Sequence, residues 1–173
     1  DTSAPLKKKH AQPEKMAAPK VIKASCQIKG ADVSGSLLFE QDSKGGETII
    51  TGELEGLTPG PHGFHVHQYG DLSQGCASAG GHFNPFGKTH GGPDANDRHV
   101  GDLGNILAGD DGKAAINIRD PQVSLIGANS VIGRAIVVHA GEDDLGKGDF
   151  DDSLTTGHAG GRVGCGVIGI AEC

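Results

Sequence analysis

The segment GFHVHQYG, residues 63–70, places two histidines on either side of one valine. Side chains on a β-strand alternate between faces with a period of two. His65 and His67 therefore share a face, and Val66 points to the other. Two imidazoles side by side can hold a metal ion, or they can line a polar solvent face. His82, His90 and His99 follow at spacings of 8 and 9 residues, and Asp102 stands three residues beyond His99. This spacing fits no helix face. It suits a loop that wraps around an ion, which gives a glycine-rich segment the cohesion its own side chains lack. His139 ends the apolar run RAIVVHA, in which Ala135, Val137 and His139 share a face. The candidate donors are thus six histidines and one aspartate, with no thiolate. Imidazole suits zinc, copper, iron and nickel. Seven donors are too many for one four-coordinate ion. Two such ions offer eight places, which seven side chains fill if one of them is shared.

These residues need a frame. The chain has 173 residues, enough for one domain with a sizeable core. Its 30 glycines show no collagen-like period and predict many tight turns. From Val21, the runs VIKASCQIKG, VSGSLLFEQ, ETIITGELEGL and HGFHVHQ read as short strands with turn residues between them. LGNILAG and KAAINIRD flank GDDG, a hairpin signal. RAIVVHA and VGCGVIGIA supply a seventh and an eighth strand. No segment keeps a helical period. The expected architecture is all-β, an eight-stranded antiparallel sandwich or barrel. Residues 70–100 and 141–162 form two long irregular segments, a length that suggests functional loops. Residues 1–20 mix Pro, Ala and Lys without periodicity and read as a flexible tail, leaving 21–173 as the domain.

A net charge of −7 with histidine neutral argues against nucleic acid as a partner. No apolar run approaches the length of a membrane-spanning helix. The cysteines are Cys26, Cys76, Cys165 and Cys173. Without a C-x-x-C pair, a thiolate zinc site is disfavoured, and four cysteines leave three full disulfide pairings open. A chain starting at Asp1 fits a processed, extracellular protein. Against that, MAAPKVIKASC from Met16 resembles a cytoplasmic start, the tail has no apolar signal core, and no N-x-S/T sequon is present.

The stretches GFHVHQYGD, GCASAGGHFNPFGKTHGGPDANDRHVGDLGN and GHAGGRVGCGVIGIA resemble the motifs of the eukaryotic-type copper–zinc superoxide dismutases, and the likeness runs from about Val21 to Ala171. The resemblance implies a Greek-key barrel. It assigns copper to His65, His67, His82 and His139, and zinc to His82, His90, His99 and Asp102, with His82 bridging both ions. It makes Asp143 a carboxylate linking a zinc ligand to a copper ligand, Arg162 the arginine beside the copper, and Cys76–Cys165 a disulfide. His62 is read as structural, and His10 and His158 receive no metal role. Cys26 and Cys173 are left as free thiols or a second pair.

The implied reaction converts superoxide to dioxygen and hydrogen peroxide, with His82 and Arg162 taking part. Gly141 and Thr155 stand where related proteins often carry lysines that steer the anion, leaving Lys147 and Arg162. The family pattern also implies a homodimer through Tyr69, Gly70, Ile132, Gly133, Val167 and Ile170, and loading by a copper chaperone. The alternatives are a non-enzymatic copper-binding domain or a copper-chaperone-like domain of the same fold.

Overall fold

The computed structural model describes residues 20–172. The rest of the expected tail, with His10 and Met16, lies outside the described residues, as does Cys173. The elements are β1 (Val21–Gly30), β2 (Ser34–Asp42), β3 (Thr48–Glu55), β4 (Gly60–His67), β5 (Ser73–Cys76), β6 (Asp102–Ala108), β7 (Ala114–Asp120), β8 (Ala135–His139), a single-turn helix α1 (Ser153–Thr156) and β9 (Arg162–Ile170). Eight strands form one antiparallel sheet in the order β6-β4-β8-β9-β1-β2-β3-β7. The connections from β3 to β4 and from β7 to β8 cross between distant places in that order, as Greek-key chains do. The GDDG turn joins the two edge strands through Gly109 N–H donating to Lys113 O at 2.9 Å, so the barrel is nearly closed.

All eight expected strands are present. The very short β5 and α1 lie inside the segments read as irregular, where neither is long enough to show a period.

Alternation sorts the side chains. Ala24, Cys26 and Ile28 of β1, Leu37 and Phe39 of β2, and Ile50 and Leu54 of β3 fill the interior. On β4, Phe64 and Val66 face this core at 0% exposure. Yet His65 and His67, on the opposite face, are equally covered, at 0% and 1%. The outer wall is buried because the two long loops lie over it. β8 repeats the pattern: Ile136 and Val138 join the core, while Ala135 and Val137 pack outward with Ala79 and Cys165 in a second apolar cluster.

The first loop is tied down where it crosses β4. Val66 N–H donates to Gly101 O at 2.9 Å, and Phe83 N–H donates to Val66 O at 2.8 Å. A Cβ on Gly101 would run into the Val66 carbonyl oxygen, so only glycine permits the crossing. No helix among the described residues is long and apolar enough to cross a membrane.

Candidate metal centre

Strand register sets the first group of donors. His65 pairs with Val137 and His67 with Ala135 across β4 and β8, and His139 ends β8 opposite Arg162 of β9. The loop brings His82 against His67 through an isolated bridge. One ring nitrogen from each of His65, His67, His82 and His139 then lies within 4.8 Å of the others, and all four residues are buried.

Hydrogen bonds choose which nitrogen each ring presents. His67 Nδ1 faces the Gly80 carbonyl at 2.9 Å, and His139 Nδ1 faces the Gly160 carbonyl at 3.0 Å. A carbonyl only accepts, so the proton sits on Nδ1 and Nε2 is left as a donor of electrons. His65 is turned the other way, with Nε2 2.7 Å from Asp143 Oδ2 and Nδ1 free to ligate. Burial pushes His65 down to about 3, His67 to about 2 and His139 to about 4, so all three rings are neutral.

The second group converges on one oxygen. Asp102 Oδ1 lies 2.8 Å from His82 Nδ1, 3.0 Å from His90 Nδ1 and 3.1 Å from His99 Nδ1. Oδ2 is occupied separately, accepting from His99 N–H at 2.8 Å and Gly91 N–H at 3.1 Å. Burial alone would raise the Asp102 carboxyl, but the three histidine rings around it hold it far below the usual carboxylate range. Burial would likewise lower His90, yet Asp102 and Asp143 raise it to about 9. The pocket between these groups calls for positive charge.

Among the described residues, three buried side-chain nitrogens have no hydrogen-bond partner: His65 Nδ1, His82 Nε2 and His90 Nδ1. His90 Nδ1 stands 3.0 Å from Asp102 Oδ1 without the alignment a hydrogen bond needs. Unpaired buried polar atoms are costly and rare. Here they point into the two donor groups, where a cation would satisfy each of them. Four imidazoles suit copper, and three imidazoles with a carboxylate suit tetrahedral zinc, so the residues fit both metals.

Asp143 joins the groups from behind. Its Oδ2 meets His65 Nε2 at 2.7 Å and its Oδ1 meets His90 Nε2 at 2.8 Å. Asn105 holds the Asp143 backbone on both sides, donating to its carbonyl at 2.8 Å and accepting from its N–H at 2.7 Å. At Gly157, φ is +68°, and a Cβ would run into Asp143 Oδ1 and His90 Nε2.

Arg162 is fastened beside this centre, donating from Nη1 to the Cys76 carbonyl at 2.6 Å and from Nη2 to the Gly80 carbonyl at 2.7 Å. Cys76 and Cys165 form a disulfide, while Cys26 is a buried thiol pushed up to about 12 by burial. His62 lies outside the donor groups, with Nδ1 2.7 Å from the His139 carbonyl and Nε2 2.8 Å from the Thr58 carbonyl. His158 stacks on Phe150 and places Nδ1 2.7 Å from Asp152. Sequence reasoning passed over Asn105 and Arg98. Asn105 reads as an ordinary polar strand residue, and Arg98 as a solvated charge in a polar loop.

Two donor groups sharing one histidine, mounted on the wall of an antiparallel barrel, define a protein built to hold two metal ions. The sequence pattern of Copper/zinc superoxide dismutase (SODC) matches residues 33–168. The chain is 59% identical over 146 residues to the superoxide dismutase [Cu-Zn] of Onchocerca volvulus, covering 83% of this chain and 92% of that protein. It is also 59% identical over 143 residues to the extracellular superoxide dismutase [Cu-Zn] of Brugia pahangi, covering 81% and 71%. The chain belongs to the copper/zinc superoxide dismutase family.

Proposed function

We propose that this chain disproportionates superoxide, with His65, His67, His82 and His139 holding copper and His82, His90, His99 and Asp102 holding zinc. The observation that carries this reading is His82, common to both donor groups. Its Nδ1 faces Asp102, and its Nε2 is buried without a partner.

Copper, when bound, changes oxidation state, so one superoxide is oxidised to dioxygen and a second is reduced, with two protons, to hydrogen peroxide. The protein supplies the remainder. Arg162 presents a permanent positive charge beside the copper group and draws the anion in. His82 is placed to hold a proton on Nε2 between the half-reactions while Nδ1 stays on the zinc side. Asp143 keeps His65 and His90 in the correct tautomer, as carboxylates behind metal-bound imidazoles do. A complete copper donor set beside Arg162 favours this reading over a non-enzymatic copper-binding or copper-chaperone-like domain. The deciding experiment measures metal content together with superoxide removal, before and after copper is stripped. Fully loaded protein that removes no superoxide would overturn the reading.

The chain is further proposed to act as a homodimer. Tyr69, Val167 and Ile170 are exposed at 52%, 41% and 81%, a cost for lone apolar groups that a partner would relieve. Gly70 sits against Gly133, and a Cβ on Gly70 would come within 3.2 Å of Val167, so Gly70, Gly133 and Val167 are contiguous. Loading by a copper chaperone and an extracellular site of action are part of the same proposal. The second is supported by the printed name of the Brugia pahangi relative. Residues 1–20 are proposed as a tail outside the domain.

A further inference from the structure

Arg98 is the bulkiest fully buried side chain among the described residues, 1% exposed, and no metal donor group includes it. All three guanidinium nitrogens are used. Nη1 donates to the Pro93 carbonyl and to Asp120 Oδ2, both at 2.7 Å. Nε donates to the His99 carbonyl at 3.0 Å, and Nη2 to the Val100 carbonyl at 3.0 Å. Asp120 ends β7, and its other oxygen is held by Gln122 and Val123 N–H groups at 2.8 and 2.7 Å. The guanidinium therefore anchors the loop between His90 and Asp102 to the rim of the barrel.

A buried ion pair is weak evidence for stability, because desolvation offsets much of the attraction. The three carbonyls say more. Their directions fix the peptide planes after Pro93, His99 and Val100. Those planes set where the His99 side chain leaves the backbone and where Asp102 begins. His99 O accepts from both Arg98 Nε and Asp102 N–H, the latter at 3.2 Å, so the two residues share one anchored turn. An apolar side chain of the same size would leave the Pro93 and Val100 carbonyls unpaired and take one of two donors from the His99 carbonyl. A lysine would keep the charge opposite Asp120, but a single ammonium cannot span three divergent carbonyls.

We propose that Arg98 is a positioning residue for the zinc-side group, orienting His99 and Asp102 through the backbone. The proposal rests on the zinc assignment above. The test compares Arg98→Lys and Arg98→Met with wild type and with Ile28→Val, a core variant on β1, which pairs with neither β6 nor β7. Each protein is loaded with cobalt at the zinc side. The visible absorption of the bound cobalt, zinc affinity by chelator competition and the unfolding midpoint of metal-free protein are then measured.

The Arg98 variants are expected to shift the cobalt bands and to weaken zinc about 10- to 100-fold, the range for groups behind metal ligands. Ile28→Val should lower only the midpoint. Arg98→Lys with wild-type cobalt bands and wild-type zinc affinity would overturn the proposal, whatever its stability. If Arg98→Met fails to fold, Arg98→Lys decides alone. Wild-type protein that takes up neither cobalt nor zinc would instead overturn the zinc assignment beneath it.

Discussion

Arg162 donates to the backbone carbonyl of Cys76 at 2.6 Å, while Cys165, three residues along β9 from that arginine, is disulfide-bonded to the same Cys76. The cationic group and the covalent tie thus hold one point of the loop from two sides. Breaking the disulfide should loosen the acceptor that fixes the guanidinium. With a sequence separation of 89 between the cysteines, the chain-entropy model gives the link about 4–5 kcal/mol. The Cys76→Ser/Cys165→Ser protein should lose stability of that order and lose rate beyond any loss of copper. A metal-loaded double variant with the wild-type rate would show that Arg162 holds its place without the tie.

Reversing the charge at Arg162 separates attraction from binding of metal. Arg162→Glu should lower the second-order rate for superoxide by about tenfold or more while copper content stays near wild type. Added salt should slow the wild type, because mobile ions screen the arginine, and this slope should shrink or invert in the variant. Gly141 and Thr155 carry no charge, which leaves Lys147 and Arg162, and Arg162 is the one fastened beside the four-histidine group. Rates by pulse radiolysis across ionic strength decide it, and equal salt slopes in both proteins would refute the assignment.

Removing ligands one at a time should empty the centre selectively. His139→Ala takes a donor from the copper group alone, so copper should be lost and zinc largely kept. His82→Ala touches both groups and should weaken both. Elemental analysis of the purified variants gives the answer. Full copper and full activity in His139→Ala would mean that the four-histidine group is not the copper site.

Metal-free protein should show a defined response to pH. His65, His67 and His139 are held neutral by burial, near 3, 2 and 4, against about 6.5 in an unfolded chain. The unfolded state therefore binds more protons below about pH 6.5, and stability falls with pH from there. Asp102 and Asp143, kept ionised by their histidine partners, add to the loss below about pH 4. His90 has the opposite sign. Raised to about 9, its contribution is fully present below about 6.5 and is lost as pH rises through 9. Urea midpoints of the stripped protein should peak between these flanks, and a midpoint that climbs from pH 6.5 to 4.5 would contradict the burial argument.

The proposed dimer carries its own test. Light scattering at micromolar concentration should report twice the chain mass, and Gly70→Glu should halve it by placing a charged side chain where the backbone approaches Gly133. A monomeric wild type, with metals bound and the disulfide intact, would remove the dimer and leave the chemistry standing.

Much of this molecule could be read from its residues, and the parts that could not share a cause. Period-two alternation is a local property, so all eight sheet strands were visible, as was the common face of His65 and His67. The histidines of the long loop stood out because nothing else in that segment could order it. What stayed hidden depends on contacts between distant segments. Alternation places His65 opposite Val66 but does not say that loops will cover that outer face. Asp143 lies 78 residues from His65 and 53 from His90, so no spacing links them; the family resemblance alone pointed to it, and the fold brings its two oxygens to their rings. The short β5 and α1 are held by the loops around them rather than by any pattern of their own.

His65, Asp143, His90, Asp102 and His82 follow one another around a closed circuit. The successive atomic separations are 2.7, 2.8, 3.0 and 2.8 Å, and the His82 and His65 rings complete it with centroids 4.0 Å apart. A closed frame does not yield at one corner. Hydrogen bonds join His65 to Asp143, Asp143 to His90 and Asp102 to His82, and both donor groups lie on the same circuit. The two halves of the centre therefore have two mechanical connections, one through the shared ring in front and one through a carboxylate behind. A displacement of His65 or His90 is passed to the other half through Asp143, whereas His139 lies off this path.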